Sequence, residues 1–131
     1  MEKTECKPGA ACGCNAAPKL IFACSGAADV GKISDLAARK LTEEGAGKMF
    51  CLAGIGGRVS GIMATTGAAQ AILAIDGCPL DCAKKTLENA GFTKFEYVRL
   101  SDLGMEKGKT AVTDEAVATV VGAGKGRLCG C

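Results

Sequence analysis

The stretch QAILAIDGCPLDCAKKTLENAG, from Gln70 to Gly91, decides the fold. Gln70 to Ile75 is a short apolar run closed by Asp76 and Gly77, the pattern of a buried strand. Pro79 then stands where proline opens a helix, and Leu80, Ala83, Leu87 and Ala90 recur at helical spacing up to Gly91. The same alternation extends to both sides. Upstream, Lys19 to Cys24 (KLIFAC) predicts a first strand, and Val30, Ile33, Leu36, Ala37 and Leu41 predict a helix from Asp29 to about Gly45. Lys48 to Ala53 (KMFCLA) predicts a second strand. Gly54 to Gly61 is a glycine-rich loop, with a short helix before Gly67. Downstream, Phe95 to Leu100 (FEYVRL) alternates as an edge strand does. Thr113 caps a last helix with Asp114 and Glu115 in its first turn. Apolar strands alternating with helices specify an α/β fold with a parallel sheet covered on both faces. The expectation is a small three-layer, flavodoxin-like or Rossmann-like domain with a mostly parallel four-stranded sheet. It spans residues 19–121, between a cysteine-containing tail over 1–18 and a glycine-rich tail over 122–131.

Composition narrows the chemistry. One domain is expected from 131 residues, and 48% hydrophobic with 23% charged residues is a globular balance. Sixteen basic and fourteen acidic residues leave +2, too little to imply nucleic acid or an anionic membrane. With no histidine, imidazole catalysis and zinc–imidazole sites are excluded. The amino terminus lacks the apolar core of a secretory signal, and no apolar run approaches the roughly 20 residues of a membrane span. A cytoplasmic protein with neither nucleic-acid nor membrane partners is expected. Nine cysteines are the outlier, and in that compartment close-spaced thiols are metal ligands or redox centres more often than disulfides.

Parallel strands end on one rim of the sheet, where ligands bind. Cys24 ends the first strand, Cys51 lies near the end of the second, and Cys78 and Cys82 open the helix after the third. Four apart on a helix, Cys78 and Cys82 would share a face, at an amino terminus that favours thiolates. Together the four can supply the tetrahedral sulfur set of a structural zinc site. In the alternative reading Cys24 and Cys51 are small buried apolar residues. Asp76 is a candidate ligand, a partner behind the ligands, or simply a turn residue.

CSGAADVG (Cys24 to Gly31), KMFCLAGIGG (Lys48 to Gly57), AIDGCPLDCAKK (Ala74 to Lys85) and LSDLGMEKGK (Leu100 to Lys109) resemble the DGC-domain proteins. These are small prokaryotic proteins named for the triplet that here is Asp76, Gly77 and Cys78. The resemblance runs from about residue 20 to residue 120. It implies zinc binding through Cys24, Cys51, Cys78 and Cys82, and it implies no reaction.

Two further pairs, Cys12-Gly-Cys14 and Cys129-Gly-Cys131, lie outside those blocks. Topology brings both termini to the opposite, amino-terminal rim. There they could form a second four-thiolate site, with Cys6 left over, or remain free thiols of flexible tails. Gly26 to Lys32 (GAADVGK) approaches a phosphate-binding loop, but Ile33 stands where a magnesium-binding hydroxyl belongs. Arg58 is a candidate anion contact, and Lys84 and Lys85 fit a solvated helix face. The leading reading is a zinc-binding protein whose metal is structural or serves a protein partner. The alternatives are a thiol redox or sulfur-transfer enzyme with Cys78 as nucleophile, and an iron–sulfur protein.

Overall fold

A computed structural model describes residues 17–129 of the chain. In order, the elements are β1 (Lys19–Ala23), α1 (Asp29–Glu43), β2 (Lys48–Met49), α2 (Leu52–Gly56), α3 (Ser60–Gly67), β3 (Ala71–Asp76), α4 (Cys82–Asn89), β4 (Glu96–Arg99), a 3-10 turn (Leu100–Leu103) and α5 (Asp114–Leu128). The four strands form one sheet in the order β2-β1-β3-β4. Every pairing is parallel, with Ala23 opposite Ile75 and Asp76 opposite Arg99. The expected α/β class and parallel sheet are therefore what the chain adopts. The order matches the first four positions of the flavodoxin-like arrangement, and the winding direction reverses between β1 and β3.

The apolar runs of the two central strands, Leu20 to Ala23 and Ala71 to Ile75, are explained by the two cores. Ile21, Leu73 and Ile75 point to a face covered by α1 and α5, where Ile33, Leu41 and Val120 are fully buried. Leu20, Phe22 and Ala74 point to the other face, against Ile55 of α2 and Leu87 of α4. The period-two alternation along each strand thus feeds two cores, not one core and solvent. Among the described residues no buried side-chain nitrogen or oxygen lacks a hydrogen-bond partner.

Three sequence expectations are corrected. The second strand stops at Met49 where residues 48–53 were expected. Phe50 still donates its N–H to Ile21 O at 2.8 Å, but the chain then turns into α2, with Cys51 as its amino-terminal cap. The helix expected from Pro79 begins only at Cys82. Residues 78–81 instead make a turn closed by Asp81 N–H to Cys78 O at 3.2 Å, with Pro79 in the position that favours such turns. The glycine-rich stretch from 122 is helical through Leu128. Glycine costs a helix about 1 kcal/mol against alanine, but packing overrides propensity here. A Cβ on Gly124 would sit 2.9 Å from Leu41 Cδ1 and 3.2 Å from Leu73 Cδ2, so only glycine lets α5 approach the sheet this closely.

Candidate metal centre

The carboxyl rim collects the cysteines in the order of the strands. Cys51 follows β2, Cys24 extends β1, and Cys78 and Cys82 follow β3. Strands lie about 4.8 Å apart, so the ends of β1 and β3 are neighbours across the reversal of winding, and Cys51 is one strand further out. All four are free thiols.

Cys24 donates its backbone N–H to Ile75 O at 2.9 Å, continuing the ladder one residue past β1. Its side chain packs against the α2/α4 core. Burial pushes its thiol up to about 11, aided by the charges of Asp76 and Cys82, while the Gly77 N–H acts in the opposite sense. Cys24 and Cys82 therefore face one another across the β1–β3 boundary. Cys78 is half-buried against the α1/α5 core and lines an open cleft of about 670 Å³ with Leu80, Ser101 and Met105. Cys82 is the exposed first residue of α4. Cys51 is exposed in a separate cleft beside Met49 and Phe50. Cys78 and Cys82 thus do not share a helix face, because the turn at 78–81 intervenes. Among the described residues no three cysteine or acidic side chains are drawn into a closed cage. What the rim offers is a set of soft donors of the right kind and number on adjacent strand ends.

Asp76 is fully buried, and both its oxygens are engaged. Oδ1 accepts from Ala83 N–H at 2.7 Å and Oδ2 from Lys84 N–H at 3.0 Å, and Oδ2 lies 2.9 Å from the Tyr97 hydroxyl, whose single proton it shares with Asp81. The last residue of β3 thereby caps α4 from outside the helix, satisfying two of its free N–H groups and meeting its positive end. Gly77 fills a different need. A Cβ there would lie 2.9 Å from Val30 Cγ2 and 3.0 Å from the Val30 carbonyl carbon, so the residue must be glycine for α1 to start where it does. In the triplet Asp76-Gly77-Cys78, one residue fixes α4, the next admits α1, and the third carries sulfur.

Asp81, between the two cysteines, has left-handed backbone (φ 56°, ψ 46°), which costs a non-glycine residue about 1–2 kcal/mol. Its carboxylate accepts from the Tyr97 hydroxyl at 2.7 Å and is held in a fork by Arg99, Nε at 2.9 Å and Nη2 at 3.1 Å. The Tyr97 hydrogen bond and then Arg99 hold the Asp81 carboxyl below the usual range, and burial raises the Tyr97 phenol. Lys84 and Arg99 both lie over the Tyr97 ring, at 5.4 and 5.6 Å.

Sequence reading overlooked Tyr97 and Arg99. Their spacing of two within FEYVRL places them on one side of β4, away from Val98, and that was the available signal. Other candidates have structural tasks. The Arg58 guanidinium bonds Ile55 O and Asn89 O, both at 2.8 Å, tying the ends of α2 and α4 together. At the start of α1 the Asp29 carboxylate accepts from Val30 N–H, Gly108 N–H and Thr110 N–H at 2.8 to 3.0 Å. An acidic group thus occupies the place a phosphate would need. At the other rim, Lys19 Nζ donates to Leu128 O at 2.7 Å, bringing the end of α5 to the start of β1. Cys129 is disulfide-bonded, whereas Cys12, Cys14, Cys131 and Cys6 lie outside the described residues. No described helix is long and apolar enough to cross a membrane.

The model of the DGC domain matches residues 20–123, from the second residue of β1 into α5, leaving residues 124–128 of that helix outside. The chain belongs to the DGC-domain family. A curated relative, the anaerobic and virulence modulator AnvM of Pseudomonas aeruginosa, is 34% identical over 88 residues, covering 67% of this chain and 67% of its own. No solved structure matches the chain. Within this DGC domain the name-giving triplet lies at the junction of β3 and α4, beside the reversal of winding.

Proposed function

We propose that this DGC-domain protein binds a zinc ion through Cys24, Cys51, Cys78 and Cys82, as a structural centre or one that presents a surface to a protein partner. The observation that carries the reading is the sheet order. Four free thiols from three remote segments follow three adjacent strands, and the inner ones flank the reversal of winding where α/β sheets bind ligands. Thiolates are the donors zinc prefers in closed tetrahedral sites, and a site with four protein ligands leaves no open position for activating water. Bound zinc would supply a fixed cross-link between strand ends and no hydrolytic step. Cys24 must give up its proton on binding, and the Gly77 N–H is placed to support the resulting thiolate. A modulator in the same family accords with a role exercised through a partner.

Metal analysis of protein purified anaerobically without chelators tests this, together with thiol titration before and after metal removal. Stoichiometric zinc protecting four thiols is the expected result. One fast-reacting thiol without metal would replace the reading with thiol redox or sulfur-transfer chemistry at Cys78. Iron with visible absorption would replace it with an iron–sulfur centre. The terminal pairs form a separate expectation, supported by the Lys19–Leu128 contact that brings α5 back to β1. In reduced protein, serine at Cys12, Cys14, Cys129 and Cys131 should remove one of two bound ions. Unchanged zinc would eliminate the second site.

A further inference from the structure

We infer that Arg99 and Tyr97 are positioning residues that set the Cys78–Cys82 pair through Asp81, an inference that rests on the zinc reading above. The two cysteines are separated by three residues, and the third of these has the left-handed backbone that turns the chain into α4. The turn and the helix meet at this residue. Asp81 N–H bonds back to Cys78 O at 3.2 Å, and Asp81 O accepts from Lys85 N–H at 2.9 Å. The direction of Cys82 relative to Cys78 therefore follows the conformation of Asp81. That conformation is held from outside the segment. Arg99 forks the Asp81 carboxylate with two hydrogen bonds, and the Tyr97 hydroxyl adds a third at 2.7 Å.

Both holding residues come from β4, the edge strand, which contributes no cysteine. Neither is held loosely. Arg99 stacks on the Tyr97 ring and lies 3.6 Å from Asp102, and Tyr97 reaches Asp76 as well. An edge strand thereby fixes the geometry of donors on its neighbour. Groups that orient metal ligands typically govern affinity by 10- to 100-fold, and here the hold is on the residue between the two cysteines and not on a sulfur.

The test measures zinc affinity of the full chain by competition with a chromogenic chelator, together with the thermal midpoint of the metal-free protein. Asp81→Gly is the decisive variant. Glycine adopts left-handed backbone without strain, so the metal-free fold stays intact while the carboxylate that β4 holds is gone. Asp81→Gly, Arg99→Ala and Tyr97→Phe should each weaken zinc about 10- to 100-fold at unchanged saturating stoichiometry. Arg99→Lys should fail to restore affinity, because an ammonium cannot fork a carboxylate. Asp81→Gly or Arg99→Ala protein that folds and binds zinc as tightly as the parent would overturn the positioning role alone. A parent chain that takes up no zinc would overturn the proposed function and this role with it.

Discussion

Two strand-to-helix junctions stand side by side on the carboxyl rim, and each is built around an aspartate. At β1–α1 the carboxylate is Asp29, half-buried in the first turn of its own helix, and it also accepts from the N–H groups of Gly108 and Thr110 in a distant loop. At β3–α4 it is Asp76, fully buried on the strand, capping a helix that starts six residues later. The first aspartate spends its acceptors outward on a loop, and the second spends them inward on the helix that carries Cys82. Comparable chemistry thus gives one junction that organises a surface loop and another that fixes the start of the helix carrying Cys82.

The largest expected effect separates them. Asp76→Ala strips the Ala83 and Lys84 N–H groups of a charged acceptor that is fully buried, while the Tyr97 hydroxyl keeps Asp81 as its partner. Hydrogen bonds to charged groups contribute about 1.5–3 kcal/mol each. We expect a loss of at least about 3 kcal/mol, read as a lower urea midpoint of the metal-free protein. Asp29→Ala removes an acceptor that solvent reaches in part, and should lower that midpoint by a smaller amount. Equal losses would erase the distinction between the junctions.

The glycines sharpen the contrast at smaller scale. Gly77→Ala drives a methyl group into Val30 at 2.9 to 3.0 Å, partly against backbone that cannot swing away. Overpacking of this kind costs about 1–3 kcal/mol. Gly26, in the corresponding turn after β1, has nothing within 4 Å of where a Cβ would lie, so Gly26→Ala should be neutral within about 1 kcal/mol. Chemical denaturation of the two variants checks the pair.

Asp29 should also reveal itself locally. Three backbone N–H groups hold its carboxyl below the ordinary value of 3.8. A depressed folded value means the contribution is present above pH 3.8 and fades as pH falls through the lower one. Amide exchange at Gly108 and Thr110, corrected for intrinsic rates, should accelerate in Asp29→Ala at neutral pH and in the parent only in strong acid. Protection that survives the substitution would show the loop is held by other contacts.

The same comparison shows what was legible in advance. The alternation of apolar runs and helical stripes suffices for the parallel sheet, because strands such as KLIFA and AILAI are apolar on both faces. It cannot reveal that β2 is two residues long, since KMFCLA is equally apolar whether it pairs or turns into α2. Helix propensity misplaces the end of α5, because the gain from seating Gly124 against Leu41 and Leu73 is tertiary. At the site, the cysteines announce themselves by residue type. The Asp81–Arg99–Tyr97 contacts do not, for they join residues 16 and 18 apart through a left-handed turn that the proline spacing disguised as helix.

The finest distinction lies among the cysteines themselves. Cys24 sits at the β1–β3 boundary beside Cys82 and Asp76, whereas Cys51 is exposed one strand away in another cleft. On the proposed zinc reading, affinity should therefore fall least for Cys51→Ser and much further for Cys24→Ser. The pH profile adds a second reading of the same difference. With its thiol pushed up to about 11, Cys24 still carries its proton at neutral pH and must release it to bind. The parent's apparent zinc affinity should climb as pH rises from 6 to 9, and chelator competition across that range measures the slope. Before metal is added, an alkylating reagent at pH 7 should modify exposed Cys51 and Cys82 ahead of Cys24. Modification of Cys24 first would mean that its thiol is not the proton-retaining member of the set.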